Sequence, residues 1–385
     1  MKKSLIALAA LAATGAFAQS SVQIDGVMDA GYQSIDYKGT KVNGFNGNGS
    51  TTSQINFRGV SDLGGGLKAD FRVETDWNTV SNAGNTGAAS AIATGTGTTA
   101  ASAQKNNTAA SFGNGEIRTG LAGGFGKVQF GAINNNTLIA NLTGQPFGTA
   151  IGSGHGAIVR SNYSGTAVRS DNSFQYVSPV FSGFDVSYLQ ANKQTKANNG
   201  ASASASTGLI AQQSQFTSAL GAYDLMGTKE ASVSYTNGPL AARFTNLKED
   251  TQQVGGATGT VFTTNTLGAN YALGDAKVFL WNQSIKADDN SVKTAGTTVS
   301  ATYTMGATVL MAQAGSIKSS AGATNGLSSK MTSIGADYNL SKTTALYGRY
   351  ESIKDEAKLI AAAATMDVNA SGTRTRLGLG IRTAF

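Results

Sequence analysis

The chain has 385 residues, among them 49 glycines, three prolines and no cysteine, and its formal net charge is +7. Its mean hydropathy is −0.12, and no internal segment approaches the roughly 20 consecutive apolar residues of a membrane-spanning helix, which excludes a helical membrane protein. The absence of cysteine excludes stabilisation by disulfides, and the positive charges are too dispersed for nucleic-acid binding.

The N-terminus has the pattern of a secretory signal peptide. Lys2 and Lys3 form a positive start, residues 5–11 are an apolar segment, and Ala16-Phe17-Ala18 is a small-x-small cleavage site. The apolar run is too short to cross a membrane as a helix. We therefore expect residues 1–18 to be cleaved and residues 19–385 to form a single exported domain.

Most of the remaining chain alternates apolar and polar residues with a period of two. This pattern predicts β-strands with one apolar and one polar face; Phe71 and Val73, for example, alternate with Arg72 and Glu74. Sixteen segments follow it: 21–35, 53–62, 67–78, 116–121, 127–133, 171–177, 184–190, 229–235, 241–247, 266–273, 276–285, 297–304, 307–316, 331–339, 344–352 and 373–385.

The connections between these segments alternate between short turns and long loops. The long loops include three of low complexity (79–112, 197–223 and 355–372) and one, 134–170, with little regular alternation. An even number of strands joined in this way predicts an all-β fold, a closed antiparallel up-and-down barrel in which every strand edge is paired. The short turns and both termini then lie on one side of the barrel.

Aromatic residues mark the end of the barrel that carries the short turns. Five tyrosines each precede a tight turn by a few residues, and we expect them to form an interfacial girdle: Tyr176, Tyr235, Tyr271, Tyr303 and Tyr338. The last segment has Leu377 and Leu379 on one face and Arg374 and Arg376 on the other, and it ends at Phe385. Cross-strand aromatic packing inside a soluble β-sandwich is the alternative interpretation.

Three segments resemble the trimeric general porins of Gram-negative outer membranes, especially those of β-proteobacteria. They are Ser-Asp-Leu-Gly-Gly-Gly-Leu-Lys-Ala at 61–69, Asn-Ser-Phe-Gln-Tyr-Val-Ser-Pro-Val-Phe-Ser-Gly-Phe at 172–184, and Gly-Ile-Arg-Thr-Ala-Phe at 380–385. The resemblance implies a transmembrane barrel of 16 strands, an outer-membrane location with both termini in the periplasm, and a homotrimer. It also implies that Phe385 is read by the outer-membrane assembly machinery. Thr383 stands where this group commonly has histidine.

The resemblance further implies that the third long loop, 134–170, folds into the lumen and narrows it. Its segment Gln145-Pro146-Phe147-Gly148 is similar to a Pro-Glu-Phe-Gly segment of enteric relatives but lacks the acidic residue. The loop contains no Asp or Glu, and its basic side chains are His155, Arg160 and Arg169. His155 is expected to be a polar residue of the loop.

Basic residues on the polar faces of several strands are the candidates for a pore constriction. Arg58, Arg72 and Arg118 fall near the middle of their strands, and Arg376 does so in the closing strand. Porins of this group resemble one another in having an arginine cluster at the constriction.

We map this cluster onto Arg58, Arg118 and Arg169, with Arg72 and Lys127 behind them, and we include Arg160 and Arg376. The alternative is that the arginines pair with neighbouring carboxylates and leave a neutral pore.

These features predict a water-filled channel for passive diffusion of small hydrophilic solutes, preferring inorganic anions, in contact with outer-membrane lipids. An enzyme is not expected, because one histidine and no cysteine offer neither a nucleophile–base pair nor metal-ligand spacing; no metal or cofactor is expected either. A second hypothesis, a surface adhesin or structural β-protein without channel activity, is suggested by the loops rich in Ala, Gly and Thr.

Overall fold

The computed structural model of the protein describes residues 21–37, 40–77, 79–80, 112–163, 167–192, 227–251, 259–356 and 372–385. The expected signal peptide at 1–18 lies outside these residues. So do all of the low-complexity segment 197–223 and most of the segments 79–112 and 355–372.

Seventeen strands form the described part of the sheet, and every pair of neighbours runs antiparallel. They are β1 (Ser21–Tyr37), β2 (Thr40–Gly47), β3 (Gln54–Gly64), β4 (Leu67–Asp76), β5 (Ile117–Gly123), β6 (Gly126–Asn134), β7 (Arg169–Val177), β8 (Phe184–Ala191), β9 (Gly227–Asn237), β10 (Leu240–Asp250), β11 (Val261–Leu273), β12 (Ala276–Ala287), β13 (Lys293–Met305), β14 (Thr308–Ser319), β15 (Ser328–Asn339), β16 (Thr344–Asp355) and β17 (Gly372–Ala384).

The sheet closes on itself through β1. One edge of β1 pairs with β17, and the other edge pairs with β3 over residues 21–27 and with β2 over residues 30–37. The strands β2 and β3 therefore occupy the two halves of one strand position, and the barrel has the predicted 16 positions. The strand β2 itself was not predicted, because its Gly- and Asn-rich sequence is a poor strand former with weak alternation.

Asp29 explains why this position is split in two. Between β2 and β3 the chain leaves the ladder, with Asn48 in the left-handed region at φ 63°. The buried Asp29 carboxylate accepts hydrogen bonds from the backbone N–H groups of Ser50 (2.8 Å) and Thr51 (2.9 Å) and from the Tyr347 hydroxyl (2.6 Å). These bonds replace those of the interrupted ladder.

The two faces of the strands differ as the alternation predicts. On β15, Ile334 and Tyr338 are 62% and 53% exposed, whereas the adjacent Ser333 and Asp337 are 2% and 5% exposed. Apolar side chains thus cover the outside of the barrel, and polar side chains line its interior. Several strands begin later or end earlier in the prediction than in the structure. The strand β11 begins at Val261 and not at 266, because threonines occupy both faces there and give no contrast in hydropathy.

The connection between β6 and β7 folds into the barrel, as the resemblance implied. It contains a helix, α1 (Asn136–Thr143), that the sequence did not predict because polar residues interrupt any helical periodicity. Further along, Ile158 and Val159 are fully buried against Trp281, Ile317 and Ile353 of the wall. No helix among the described residues is long and apolar enough to cross a membrane.

Candidate pore constriction

Three arginines lie in one row across adjacent strands on the interior face. Arg58 on β3 is the register partner of Arg72 on β4, and Arg72 is the register partner of Arg118 on β5. Like charges at directly opposed positions of a sheet repel one another. The row therefore needs anionic partners in order to fold.

The central arginine of the row has two carboxylate partners. The Arg72 Nη1 donates to Glu116 Oε2 at 2.7 Å, and its Nη2 pairs with Glu74 on the same strand. Its Nε and Nη2 also donate to Asn56 Oδ1, at 3.2 and 2.9 Å. Arg72 is held in place by these bonds and is only 16% exposed.

The next cations along the wall share one carboxylate. Arg118 Nη1 and Lys127 Nζ both donate to Asp70 Oδ2, the latter at 2.9 Å. Arg118 Nε also lies 3.6 Å from Glu116 Oε2. Asp70 bridges the two basic residues, and these contacts hold its carboxylate behind them.

Arg58 and Arg169 occupy the two ends of the cluster. Arg58 Nε and Nη2 each lie 3.0 Å from an oxygen of Asp25. Arg169, at the start of β7, lies 3.5 Å from Glu74 and 3.6 Å from Asp76. The structure therefore brings together five of the predicted residues: Arg58, Arg72, Arg118, Lys127 and Arg169.

The basic residues are paired with carboxylates, as the alternative interpretation of a neutral pore expects. The cation and the carboxylate of each pair are, however, not equally accessible from the lumen. The Arg58 side chain is 45% exposed and Asp25 is 22% exposed, while Lys127 is 29% exposed and Asp70 is 15% exposed. The cation is also the more exposed partner in every other ion pair of this cluster. The guanidinium and ammonium groups thus cover the carboxylates.

Arg376 lies on a different part of the wall, away from the row. It donates two hydrogen bonds of 2.8 Å to Glu351, and Arg374 donates a third at 3.1 Å. Glu351 is fully buried and also accepts the backbone N–H groups of Gly152 and Gly154, at 3.1 and 3.0 Å. One carboxylate here partners two guanidinium groups and fastens the lumen loop.

Glu230 is a second fastening point, at the N-terminus of α1. Its fully buried carboxylate accepts hydrogen bonds from the backbone N–H groups of Asn136 and Thr137 (2.6 Å for Thr137) and from the Thr137 hydroxyl at 2.7 Å. These N–H groups have no partner inside the helix, and the helix dipole favours negative charge at this end. Sequence reasoning missed both Glu230 and Glu351, although an isolated glutamate on the interior face of a strand is the available signal.

Arg160 does not reach the lumen row. It is 9% exposed, and its Nη2 donates to the backbone oxygen of Tyr163 at 2.7 Å. Glu249 on β10 accepts hydrogen bonds from the Asn162 amide and the Tyr163 N–H, both at 3.0 Å. Arg160 therefore belongs to the buried contact between the loop and the wall.

His155 also faces the contact between the loop and the wall. One of its ring nitrogens, Nε2, lies 2.8 Å from Ser161 Oγ, and its backbone N–H donates to Ser153 Oγ at 3.1 Å. Burial, together with the nearby charge of Arg376, lowers the pKa of His155 to about 4. The imidazole is therefore neutral at pH 7.

The segment Gln145-Pro146-Phe147-Gly148 forms a turn that packs against the wall. The Gln145 side chain donates to the backbone oxygen of Gly148 and accepts the Phe147 N–H at 3.3 Å. The Phe147 ring is 3% exposed and lies under the Arg349 guanidinium, 5.7 Å from the ring centroid. The Gln145 amide thus stabilises the turn.

The expected tyrosines all lie on the outer face near the short turns. Tyr271, Tyr303 and Tyr338 are 42%, 51% and 53% exposed. Tyr235 packs on Phe184 with ring centroids 4.4 Å apart.

Tyr176 donates to the backbone oxygen of Phe125 at 2.8 Å.

Phe385 exchanges backbone hydrogen bonds of 3.0 and 3.1 Å with Gly26, and a Cβ on Gly26 would lie 2.7 Å from the Phe385 ring.

The barrel is closed, its exterior is apolar and its interior is polar. The loop folds inward and leaves exposed cations on the facing wall. These features define a transmembrane channel. Residues 4–358 match the family model of the Gram-negative porins. The chain belongs to this family, and it is an outer-membrane porin for passive diffusion of small hydrophilic solutes. Family membership decides for the porin and against the adhesin hypothesis.

Similar proteins support the same assignment. The chain is 30% identical over 405 residues to the outer membrane porin protein 32 of Delftia acidovorans, with both chains fully covered. It is 32% identical over 212 residues to the major outer membrane protein P.IB of Neisseria gonorrhoeae, covering 52% of this chain and 51% of that protein.

Solved structures agree with the fold. The anion-selective porin from Comamonas acidovorans aligns with a TM-score of 0.69 and 25% identity, covering 95% of this chain and 100% of that one. The trimer form of OmpT from Vibrio cholerae aligns with a TM-score of 0.60 and 13% identity, covering 95% and 99%; at that identity the likeness concerns the fold alone.

Proposed function

We propose that this porin prefers small anions and that Arg58, Arg118 and Arg169, backed by Arg72 and Lys127, produce the preference. One observation carries the proposal: in each ion pair of the cluster the cation is the partner more exposed to the lumen. A permeating ion therefore meets the guanidinium groups first. Guanidinium groups remain charged at any physiological pH.

The expected effect of one pair follows from Coulomb's law. An anion about 6 Å from a guanidinium and about 10 Å from the carboxylate behind it gains about 0.3 kcal/mol at a dielectric constant of 80 and about 1.1 kcal/mol at 20. Each pair thus favours an anion over a neutral solute by about twofold to sixfold and disfavours a cation by the same factor. Several such pairs along the wall give a clear preference.

The lumen loop adds no opposing charge. Residues 134–170 contain no Asp or Glu, so no acidic side chain of the loop faces the basic wall. The name of the Comamonas acidovorans relative, an anion-selective porin, agrees with this proposal.

Charge neutralisation on the wall tests the proposal. The variant R58S/R118S/R169S should shift the reversal potential in a KCl gradient towards cation preference, because it uncovers the carboxylates. The variant K286S/K293S/K318S removes the same charge from side chains on the outer face and is the matched control. An identical reversal potential in wild type and R58S/R118S/R169S would show that these arginines do not determine the selectivity of the channel.

We also infer that the protein is a homotrimer, because its sequence resembles those of the trimeric general porins. Folded protein should run as a heat-dissociable trimer on a denaturing gel, and a monomeric band from unheated, folded protein contradicts the inference.

Two further inferences concern export and assembly. Cleavage of residues 1–18 predicts a mature mass beginning at Gln19, which intact-mass measurement tests. Phe385 is the proposed recognition point for the assembly machinery, and Phe385→Ala should lower the yield of folded protein in the outer membrane.

A further inference from the structure

The chain leaves the sheet between β2 and β3 and turns into the lumen. Residues 48–53, which we call the inner turn, have the sequence Asn-Gly-Ser-Thr-Thr-Ser. The Asn48 side-chain oxygen accepts the backbone N–H of Ser53 at 2.7 Å and closes the turn. Asp29, which accepts N–H groups of this turn, lies on the interior face of β1, since Tyr32 three residues further on is exposed on the outer face. The inner turn therefore lies on the lumen side of the wall.

A tyrosine from the other side of the barrel closure holds the inner turn. Tyr347 on β16, Gly380 on β17 and Gly31 on β1 are register partners in one row across three strands. The Tyr347 ring lies across the two glycines, and its hydroxyl donates to Asp29 Oδ1 at 2.6 Å. A Cβ on Gly31 would lie 2.8 Å from this hydroxyl oxygen, and a Cβ on Gly380 or Gly49 would collide with it. Glycine at these three positions leaves the room that the ring needs.

The next row of the wall holds the tip of the lumen loop. Arg349, two residues from Tyr347 on β16, is the register partner of Gly378 on β17. The loop residue Ile151 is 2% exposed and packs over Gly378, where a Cβ would lie 2.8 Å from the Ile151 Cδ1. The Arg349 guanidinium lies 5.7 Å from the centroid of the Tyr347 ring and 5.7 Å from that of the loop residue Phe147. Arg349 therefore packs between the loop tip and the tyrosine that holds the inner turn.

The inner turn and the loop tip also contact each other directly. The backbone N–H of Ile151 donates to the Gly49 oxygen at 3.3 Å, and Arg349 Nη2 lies 3.5 Å from Ser50 Oγ. The three hydroxyl residues 50–52 are half-buried. The inner turn contains no charged residue, so it adds bulk and hydroxyl groups to the lumen but no charge.

We propose that the inner turn is a second constriction element of the pore, and that Tyr347 positions it against the tip of the lumen loop. The loop contacts the wall from β9 to β17, the inner turn covers the wall at β1, and the arginine row begins on β3. The three elements thus follow one another around the lumen. Because the inner turn is uncharged, it limits the size of the solutes that pass and not their charge. This role is separate from the proposed anion preference.

Cysteine labelling tests whether the inner turn lines the pore. The protein has no cysteine of its own, so each of Ser50→Cys, Thr51→Cys and Thr52→Cys carries a single reactive thiol. Charged methanethiosulfonate reagents should lower the single-channel conductance of at least one of these variants in a planar bilayer. An anionic adduct there should shift the reversal potential towards cations, and a cationic adduct should shift it towards anions. Thr332→Cys, on the outer face of β15, is the matched control and should keep its conductance after modification.

Substitution of Tyr347 tests the positioning role. Tyr347 is 4% exposed, so removal of its ring does not itself widen the lumen. In Tyr347→Ala the inner turn loses the ring and the hydrogen bond to Asp29, and the amides of residues 49–51 should exchange with deuterium about tenfold faster or more. The single-channel conductance and the uptake of large neutral sugars into liposomes should rise, while the reversal potential keeps its sign.

Two further variants complete this test. Tyr350→Ala removes the same side chain from the outer face of β16, where Tyr350 is 39% exposed, and should match wild type. Tyr347→Phe keeps the ring and loses only the hydroxyl. It should show the changes of Tyr347→Ala to a smaller extent, and it serves the same test if Tyr347→Ala does not fold.

The two experiments can each overturn the proposal. Unchanged conductance in all three inner-turn cysteine variants, with modification confirmed by mass, would show that the inner turn does not line the constriction. Faster exchange at residues 49–51 in Tyr347→Ala without a change in conductance or sugar uptake would show the same. Wild-type exchange in Tyr347→Ala, or equal changes in Tyr347→Ala and Tyr350→Ala, would refute the positioning role of Tyr347.

Discussion

The helix α1 should separate from the wall more often when Glu230 loses its charge. In wild type this carboxylate accepts three hydrogen bonds, from the N–H groups of Asn136 and Thr137 and from the Thr137 hydroxyl. Glu230→Gln keeps one acceptor oxygen and turns an N–H₂ group towards the N-terminus of α1. The substitution changes no atom of the arginine row, so it separates loop position from wall charge.

The expected cost follows from the contacts that are lost. A hydrogen bond to a charged group contributes about 1.5–3 kcal/mol, and a charge at a helix N-terminus contributes about 0.3–1 kcal/mol. Losing one bond, weakening the others and removing the charge should destabilise the docked loop by about 3–5 kcal/mol. Opening of α1 should become about 100-fold more frequent or more.

Hydrogen–deuterium exchange of the amides in residues 136–143 measures this opening directly. Exchange there should accelerate in Glu230→Gln, while amides of β12 to β16 stay protected. Glu356→Gln also neutralises a glutamate, one that lies outside the lumen beside Lys354, and should leave exchange in α1 unchanged. Equal exchange of α1 in wild type and Glu230→Gln would refute the role of Glu230 in anchoring the loop.

Two further predictions concern the outer face and pH. Phe71→Lys places a charge on an outward side chain that is 41% exposed and should destabilise folding into liposomes by about 2–4 kcal/mol near the bilayer midplane; Phe71→Leu is the control, and equal stability of Phe71→Lys and wild type would mean that the outer face is misassigned. His155 binds a proton below about pH 4 in the folded loop but near pH 6.5 when released, so its contribution to stability is complete above pH 6.5 and falls by up to about 3 kcal/mol as pH drops to 4. The unfolding temperature of His155→Gln should vary less between pH 7 and 4 than that of wild type, and parallel curves would contradict this.

The strand number and the two faces were predictable because a barrel imposes them. Along each strand, one residue faces the polar interior of the barrel and the next faces the apolar exterior. The alternation alone therefore assigns Ile334 to the outer face and Ser333 to the inner face. The split between β2 and β3 was not predictable, since it depends on Asp29 contacting both the displaced backbone and Tyr347 on a strand distant in sequence. Contacts of this kind leave no local pattern.

The candidate site was only partly predictable for the same reason. The alternation of apolar and polar residues placed Arg58, Arg72 and Arg118 in the lumen, but only the strand register reveals that they form one row. Alternation alone suggests that Glu74 is an inexpensive residue to neutralise. In the structure it is 5% exposed and lies between Arg72 and Arg169, so neutralising it would remove one anionic partner from each of two guanidinium groups.

The reversal potential of the wild-type channel in a dilute KCl gradient tests the central claim most directly. If exposed guanidinium groups cover the carboxylates of the wall, chloride should permeate more readily than potassium. The preference should weaken as the Debye length falls from about 10 Å at 0.1 M to about 3 Å at 1 M salt. A preference for potassium at low salt would contradict the account, because the buried carboxylates would then dominate the field that an ion meets in the lumen.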